Sequence, residues 1–201
     1  MSTQLSNHEL RKQLRKQRSS LAQTEQQQLS KQAIQHLIRQ RIFRSARNIA
    51  LYLPVRGEAD PRSLLKFAHP KQRFFLPVLS LSHNSHLTFV EWNLQTRFRS
   101  NRFNIPEPLL AGRRILSPRQ LDLVITPLVA FDQQGSRLGM GGGFYDRSFA
   151  FKRYPKHSKP VLLGFAYPFQ QIERLKCQDW DIGLDASCTA SGLIFYTDLK
   201  N

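Results

Sequence analysis

The chain has 201 residues, 40% of them hydrophobic, with 30 Lys and Arg against 14 Asp and Glu for a net charge of +16. That length suits one domain with a single substantial core, and the positive surplus attracts polyanions: nucleic acid, nucleotides or an acidic small substrate. The polar, basic start MSTQLSNHELRKQLRKQR lacks a signal peptide's apolar segment, and the longest apolar run, Leu121 to Phe131, falls far short of the roughly 20 residues that span a bilayer, so no membrane partner is expected.

In chain order the pattern is helical first and then alternating. Ser6-Asn7-His8-Glu9 has the S-x-x-E form of a capping box, followed by Leu10, Leu14 and Leu21 at helical spacing. A second helix is expected from Thr24, with Leu29, Ala33, Ile34, Leu37 and Ile38 as its buried stripe. Asn48 to Leu53 reads as a buried strand that stops at Pro54, and Asp60-Pro61 as the cap and first turn of a helix to about Ala68. Arg73 to Leu79, Leu87 to Trp92, Leu121 to Ala130, Val161 to Ala166 and Gly192 to Tyr196 are further strands; Phe144 to Tyr154 is a helix halted by Pro155. This alternation predicts a three-layer α/β/α domain with a largely parallel central sheet and an N-terminal helical segment. Residues 1–201 form one domain in this reading, with helices over 1–46 and the α/β core over 47–201.

One stretch asks for a special explanation. SRLGMGGGFYDR, residues 136 to 147, has Gly139, Gly141, Gly142 and Gly143 within five positions, between what reads as a buried strand and a helix. Glycine loses more conformational entropy on folding than any other residue, so a cluster implies either a mobile turn or a backbone that closely approaches a ligand. Ligands of open α/β sheets gather beyond the carboxyl ends of the strands, where glycine amides can face an anion. Arg137 and Arg147 would then neutralise phosphate oxygens, and Asp146 would be free for Mg²⁺. The spacing matches neither G-x-x-x-x-G-K-[ST] nor G-x-G-x-x-G, so spacing alone leaves phosphate binding and a structural turn both open.

The run LVITPLVAFDQQGSRLGMGGGFYDR, residues 123 to 147, closely resembles the signature of the 5-formyltetrahydrofolate cyclo-ligases, also called methenyltetrahydrofolate synthetases. A basic N-terminal helix, LYLPVRGEAD at 51 to 60, RFFLPVL, FNIPEP at 103 to 108 and WDIGLD at 180 to 185 follow in that family's order. The resemblance implies cyclisation of 5-formyltetrahydrofolate to 5,10-methenyltetrahydrofolate with ATP and Mg²⁺, releasing ADP and phosphate. It implies ATP binding by Arg11, Arg15, Arg137 and the loop Gly139, Met140, Gly141, Gly142, Gly143, Phe144 and Tyr145, whose middle, Met140 to Phe144, also meets the folate. Glu58 and Phe103 match substrate contacts, Asp146 and Asp181 match Mg²⁺ positions, and Arg147 is added for phosphate neutralisation. Each has a plainer reading: a solvated basic face for Arg11 and Arg15, a turn cap for Asp181, a surface loop for Glu58, core for Phe103. Met140 and Gly142 depart from the family, standing where some members carry basic side chains.

The partners expected are therefore ATP and 5-formyltetrahydrofolate with its polyglutamates, with no specific nucleic acid, in a cytoplasmic monomer or weak dimer. Cys177 and Cys188, eleven residues apart, have no second pair or His cluster and are expected as reduced, inert thiols. The alternative is a basic nucleic-acid-binding or ribosome-associated module. Its support is the charge alone, because the basic residues are spread along the chain without interleaved aromatics.

Overall fold

The computed structural model describes residues 5–79, 86–93, 95–101, 105–110, 112–154 and 159–196. Helix α1 (Asn7–Ser20) opens on the expected capping box: the Ser6 hydroxyl receives Glu9 N–H, and the Glu9 carboxylate receives Ser6 N–H at 2.9 Å. Helix α2 (Gln23–Leu37) and the short α3 (Arg41–Arg44) follow, then β1 (Asn48–Ala50), β2 (Arg73–Leu79), β3 (Leu87–Trp92), the hairpin β4 (Phe98–Ser100) and β5 (Pro106–Pro108), and β6 (Ile115–Leu116). After β7 (Leu123–Thr126) come β8 (Ala130–Asp132), β9 (Arg137–Leu138), α4 (Phe144–Ser148), β10 (Val161–Phe165), β11 (Gln171–Ile172), β12 (Ala186–Thr189) and β13 (Gly192–Phe195).

The main sheet runs β13-β12-β10-β7-β1-β2-β3-β6. Its five central strands are parallel, while β13 at one edge and β3 and β6 at the other are antiparallel. Side chains alternate across it as period-two strands require. Ile49, Leu51, Leu123, Ile125 and Leu163 pack with Ala33, Ile34 and Leu37 of α2, whereas Ala50, Val124 and Leu162 pack on the other face with Phe149 and the α4 residues Phe144 and Tyr145. These are the three layers. Cys188 belongs to the α2 side, where burial pushes its thiol up to about 12 and it lies 3.1 Å from Ala33 O; Cys177 is exposed.

Several element boundaries differ from those expected. The apolar run Leu121 to Ala130 is two strands, because Pro127 has no N–H to continue the ladder. The chain leaves the main sheet there and enters a separate three-stranded sheet, β11-β8-β9. Buried Asp132 organises this turn: Oδ1 accepts from Gln134 N and Ser136 N, each at 2.9 Å, and Oδ2 from Leu175 N at 3.0 Å. The glycine loop therefore follows the short β9, not the buried central strand. Phe144 to Tyr154 is α4 and then a 3-10 turn over Ala150–Arg153, and the helix expected from Asp60 is a 3-10 helix over Arg62–Phe67. Strand β12, too small and polar in composition (ASCT) to stand out, is fully buried between β10 and β13. Phe103 and Pro155 lie outside the described residues.

Leu37 is 0% exposed at the α2–sheet contact. Leu37→Ala should lower stability by about 2–5 kcal/mol, read as a lower urea midpoint at unchanged slope. A loss below ~1 kcal/mol would mean that the layer is not close-packed.

Candidate functional site

Strand order fixes where a ligand can sit. From β1 the chain crosses to β2 on one side, and from β7 it ultimately returns to β10 on the other. The segments leaving the carboxyl ends of these adjacent strands diverge and leave a crevice, the usual ligand position in doubly wound sheets. A cavity of about 1250 Å³ occupies this place. Single-ligand pockets run to roughly 300–1,000 Å³, so this one has room for two molecules.

The glycine loop and the segments around it form one part of the wall. Arg11, Arg137, the whole run Gly139 to Arg147, Lys176 and Asp181 line the cavity. Within the loop, Gly141 and Gly143 have φ of 98° and 63°, values a side chain makes unfavourable. None of the amides from Gly139 to Gly143 donates to another described residue, while three of the loop's carbonyls, those of Gly139, Gly142 and Gly143, are engaged. Arg11 Nε donates to Gly139 O at 2.9 Å, and Arg147 Nη2 to Gly142 O at 2.7 Å. Two carbonyls are thus occupied by guanidinium groups and the N–H groups are left for an external acceptor, the polarity an anion site needs.

Arg137 is buried and ties the loop to its surroundings. Its Nε donates to Ile182 O at 3.1 Å, and its Nη2 meets Asp146 Oδ1 at 2.6 Å, an oxygen that also accepts from Ile182 N. Asp181 Oδ2 accepts from Gln178 N at 2.9 Å, so this residue is a turn cap and a cavity residue at once. The other oxygen of each carboxylate has no hydrogen-bond partner among the described residues. Two such carboxylates beside an anion site suit Mg²⁺, which takes one or two carboxylates, substrate phosphates and waters. No cluster of three His, Cys, Asp or Glu is present among the described residues.

A second part of the wall is mostly apolar: Tyr52, Leu53, Leu76, Pro77, Leu79 and Ile105, with Glu58 and Glu107. Glu107 is a structural pin, its Oε1 accepting from Leu79 N at 3.0 Å and Asn101 Nδ2 at 2.9 Å to hang the β4–β5 hairpin from β2. Glu58 sits at the end of a tight turn and accepts from Val55 N at 3.1 Å. Burial raises its pKa, opposed by Arg18, the Val55 amide and Arg56.

Of the residues singled out in the sequence, Arg11, Glu58, Arg137, Gly139 to Arg147 and Asp181 share this one cavity. Arg15 does not join them. It is exposed, because the inward line of α1 runs through Arg11, Leu14 and Arg18 and turns the next position outward. At Gly142 a Cβ would lie 2.7 Å from the Phe144 ring, so a side chain there requires that ring to shift. Exposed Trp180, and Arg153 that donates to its carbonyl at 2.6 Å, also line the cavity and went unremarked in the sequence. The WDIGLD motif was the available signal for Trp180. Glu107 lies in the FNIPEP segment, which was its signal, and Arg18 had none beyond its place in a basic helix.

Fold and site together define an α/β protein with a cavity at its switch point, lined on one part by glycines and arginines and on another by apolar side chains with Glu58. A model of the 5-formyltetrahydrofolate cyclo-ligase family matches residues 3–190. The chain is 36% identical over 185 residues to the 5-formyltetrahydrofolate cyclo-ligase of Haemophilus influenzae, covering 92% of this chain and 97% of that one, and 37% identical over 179 residues to that of Escherichia coli, covering 89% and 97%. The solved 5,10-methenyltetrahydrofolate synthetase of Aquifex aeolicus superposes with a TM-score of 0.80 at 30% identity, over 98% of this chain and 96% of that one. The chain belongs to the 5-formyltetrahydrofolate cyclo-ligase family and is a ligase.

The raised pKa of Glu58 has a defined consequence for stability. A carboxyl whose folded pKa lies above its ordinary 4.5 contributes stability that is fully present below pH 4.5 and lost as pH rises through the folded pKa. Unfolding free energies of wild type and Glu58→Gln measured from acid to neutral pH should therefore converge, or cross toward the variant, as pH increases. A difference independent of pH would remove the assignment.

Proposed function

We propose that the protein binds ATP and 5-formyltetrahydrofolate side by side in this cavity and closes the folate to 5,10-methenyltetrahydrofolate, with ADP and phosphate as the other products. The observation that carries the reading is the pairing of a loop of unused amides, flanked by Arg11, Arg137 and Arg147, with an adjoining apolar wall that ends in a buried carboxylate. The first suits a triphosphate, and the second a flat pteridine whose N–H groups can donate to Glu58.

The reaction needs activation. The formyl group on N5 is an amide, whose resonance makes its carbon a poor electrophile and its oxygen a poor leaving group. Transfer of the γ-phosphoryl group to that oxygen yields an iminium phosphate; N10 attacks its carbon and gives up its proton to solvent, and the C–O bond breaks to release phosphate. The protein's part is positioning and charge stabilisation, for which a nucleophilic side chain is unnecessary. Arg137, fixed by Ile182 O and Asp146, and Arg147, held across the loop, supply positive charge near the loop amides. Asp146 and Asp181 would hold Mg²⁺, which when bound neutralises phosphate charge. Both retain an oxygen free of chain partners among the described residues, and Arg137 fixes the orientation of Asp146. The surplus of positive charge helps draw in ATP and the acidic folate, and the setting is that of a cytoplasmic enzyme. No helix among the described residues is long and apolar enough to cross a membrane.

Purified protein with 5-formyltetrahydrofolate and Mg·ATP should generate the near-ultraviolet absorbance of the methenyl product, lose it on chelation and regain it with Mg²⁺. Asp146→Asn should lower turnover on the order of 10²-fold. Lys159→Ala, which removes only an exposed pair with Asp122 at 2.7 Å at the opposite end of the sheet, should leave it within about twofold. Equal activity in the two variants would overturn the metal assignment; absence of the absorbance in wild type would overturn the function.

A further inference from the structure

Arg18 is a charged residue of 1% exposure on the inner line of α1. Its Nε donates to Arg56 O at 3.1 Å, its Nη1 lies 3.7 Å from Glu58 Oε1, and neither Nη1 nor Nη2 has a hydrogen-bond partner among the described residues. An incompletely bonded buried guanidinium is poor stabilisation, since an apolar side chain of similar volume usually serves a fold as well or better. Something other than stability accounts for it.

Both contacts of Arg18 fall on one turn, Val55-Arg56-Gly57-Glu58, directly after β1 at the switch point. Arg56 and Gly57 have φ of 52° and 76°, and Glu58 N closes the turn on Val55 O at 3.1 Å. A non-glycine residue in the left-handed region persists only where its surroundings enforce it. Here the turn's own bonds between Val55 and Glu58 are joined by the guanidinium, which holds the Arg56 carbonyl. Gly57 is pressed against the same helix, for a Cβ there would lie 3.3 Å from Arg18 O.

The ionisable groups around Glu58 are Arg18 from α1, Tyr52 and Arg56 from its own segment, Tyr145 from α4 and Tyr167 after β10. Burial pushes all three tyrosine hydroxyls up and keeps them neutral. Neutralisation of the carboxyl is opposed most strongly by Arg18, then by the Val55 amide and by Arg56. Arg56 is exposed and therefore screened.

We propose that Arg18 is a positioning residue for the folate: it holds the turn after β1 in its left-handed form and keeps the Glu58 carboxylate charged toward the cavity. The proposal rests on the reading of the cavity as a folate and ATP site. Arg11, seven residues earlier on the same helix and so about 10.5 Å along it, bonds Gly139 O in the glycine loop. One rigid element thereby sets the folate turn at a fixed distance from the phosphate loop.

The test is a double-mutant cycle of Arg18→Met, Glu58→Gln and the pair, with turnover measured against folate and ATP from pH 6 to 9. Arg18→Met should raise KM for the folate about tenfold near neutrality, the scale of one charged hydrogen bond, with kcat and KM for ATP much less affected. That KM should fall again as pH rises and Glu58 re-ionises. In the Glu58→Gln background the same substitution should add less than about twofold. Arg18→Lys, which keeps the charge and serves if the Met variant does not fold, should retain the wild-type pH profile. Equal, pH-independent KM increases in both backgrounds would overturn the proposal. If wild type forms no methenyl product, the folate reading fails on its own, and the Arg18–Glu58 coupling is read instead from denaturation. Arg18→Met must then alter the pH slope of stability when Glu58 is present and leave it unaltered in the Glu58→Gln background, or the proposal fails too.

Discussion

The parallel pairing of β1 with β7, with their crossovers leaving in opposite directions, is the constraint on which the rest of the molecule depends. Backbone hydrogen bonds hold the two strands side by side, yet beyond their carboxyl ends the chain cannot fill the space between the diverging segments. The cavity is a consequence of winding, not of any single side chain. Two devices then give it chemical character. The tight turn after β1 brings Glu58 to one part of it, and the break at Pro127 diverts the chain after β7 into a small sheet that delivers the glycine loop to another.

The loop works through a division of hydrogen-bonding roles. Arginines from α1 and α4 take two of its carbonyls, its amides have no acceptor among the described residues, and two of its glycines occupy backbone conformations that side chains resist. Arg137 and Asp146 lock each other beneath it and share Ile182, which joins the loop to the Asp181 segment. Charge is thus organised by pairing before any ligand arrives, the preorganisation that makes electrostatic stabilisation effective in a partly enclosed site.

Helix α1 connects these parts. Leu10 and Leu14 seat it on the small sheet, and its buried line continues through Arg11 at one end and Arg18 at the other. A helix that is basic throughout would otherwise read as a solvated surface element. Its packing instead makes it the backing of the cavity, and it explains why a polar N-terminal segment is an integral part of the fold.

Much of this was legible in the sequence, and the division follows the range of the forces involved. The Ser6–Glu9 cap, the apolar stripe of α2, the central strands and the glycine loop are decided by residues within a few positions of one another, and of the candidate residues that family resemblance gathered, all line the cavity but Arg15, which is exposed, and Phe103, which lies outside the described residues. Only the tertiary structure decided that Arg11 turns inward and Arg15 outward, that Leu121 to Ala130 is divided between two sheets, that ASCT is a buried strand of the main sheet, and that Arg18 is buried against the turn bearing Glu58. Arg11 and Gly139 meet across 128 residues of sequence, and Arg18 and Arg56 across 38. Contacts over such separations arise from how whole layers pack, and periodicity, capping and turn chemistry carry no information about them.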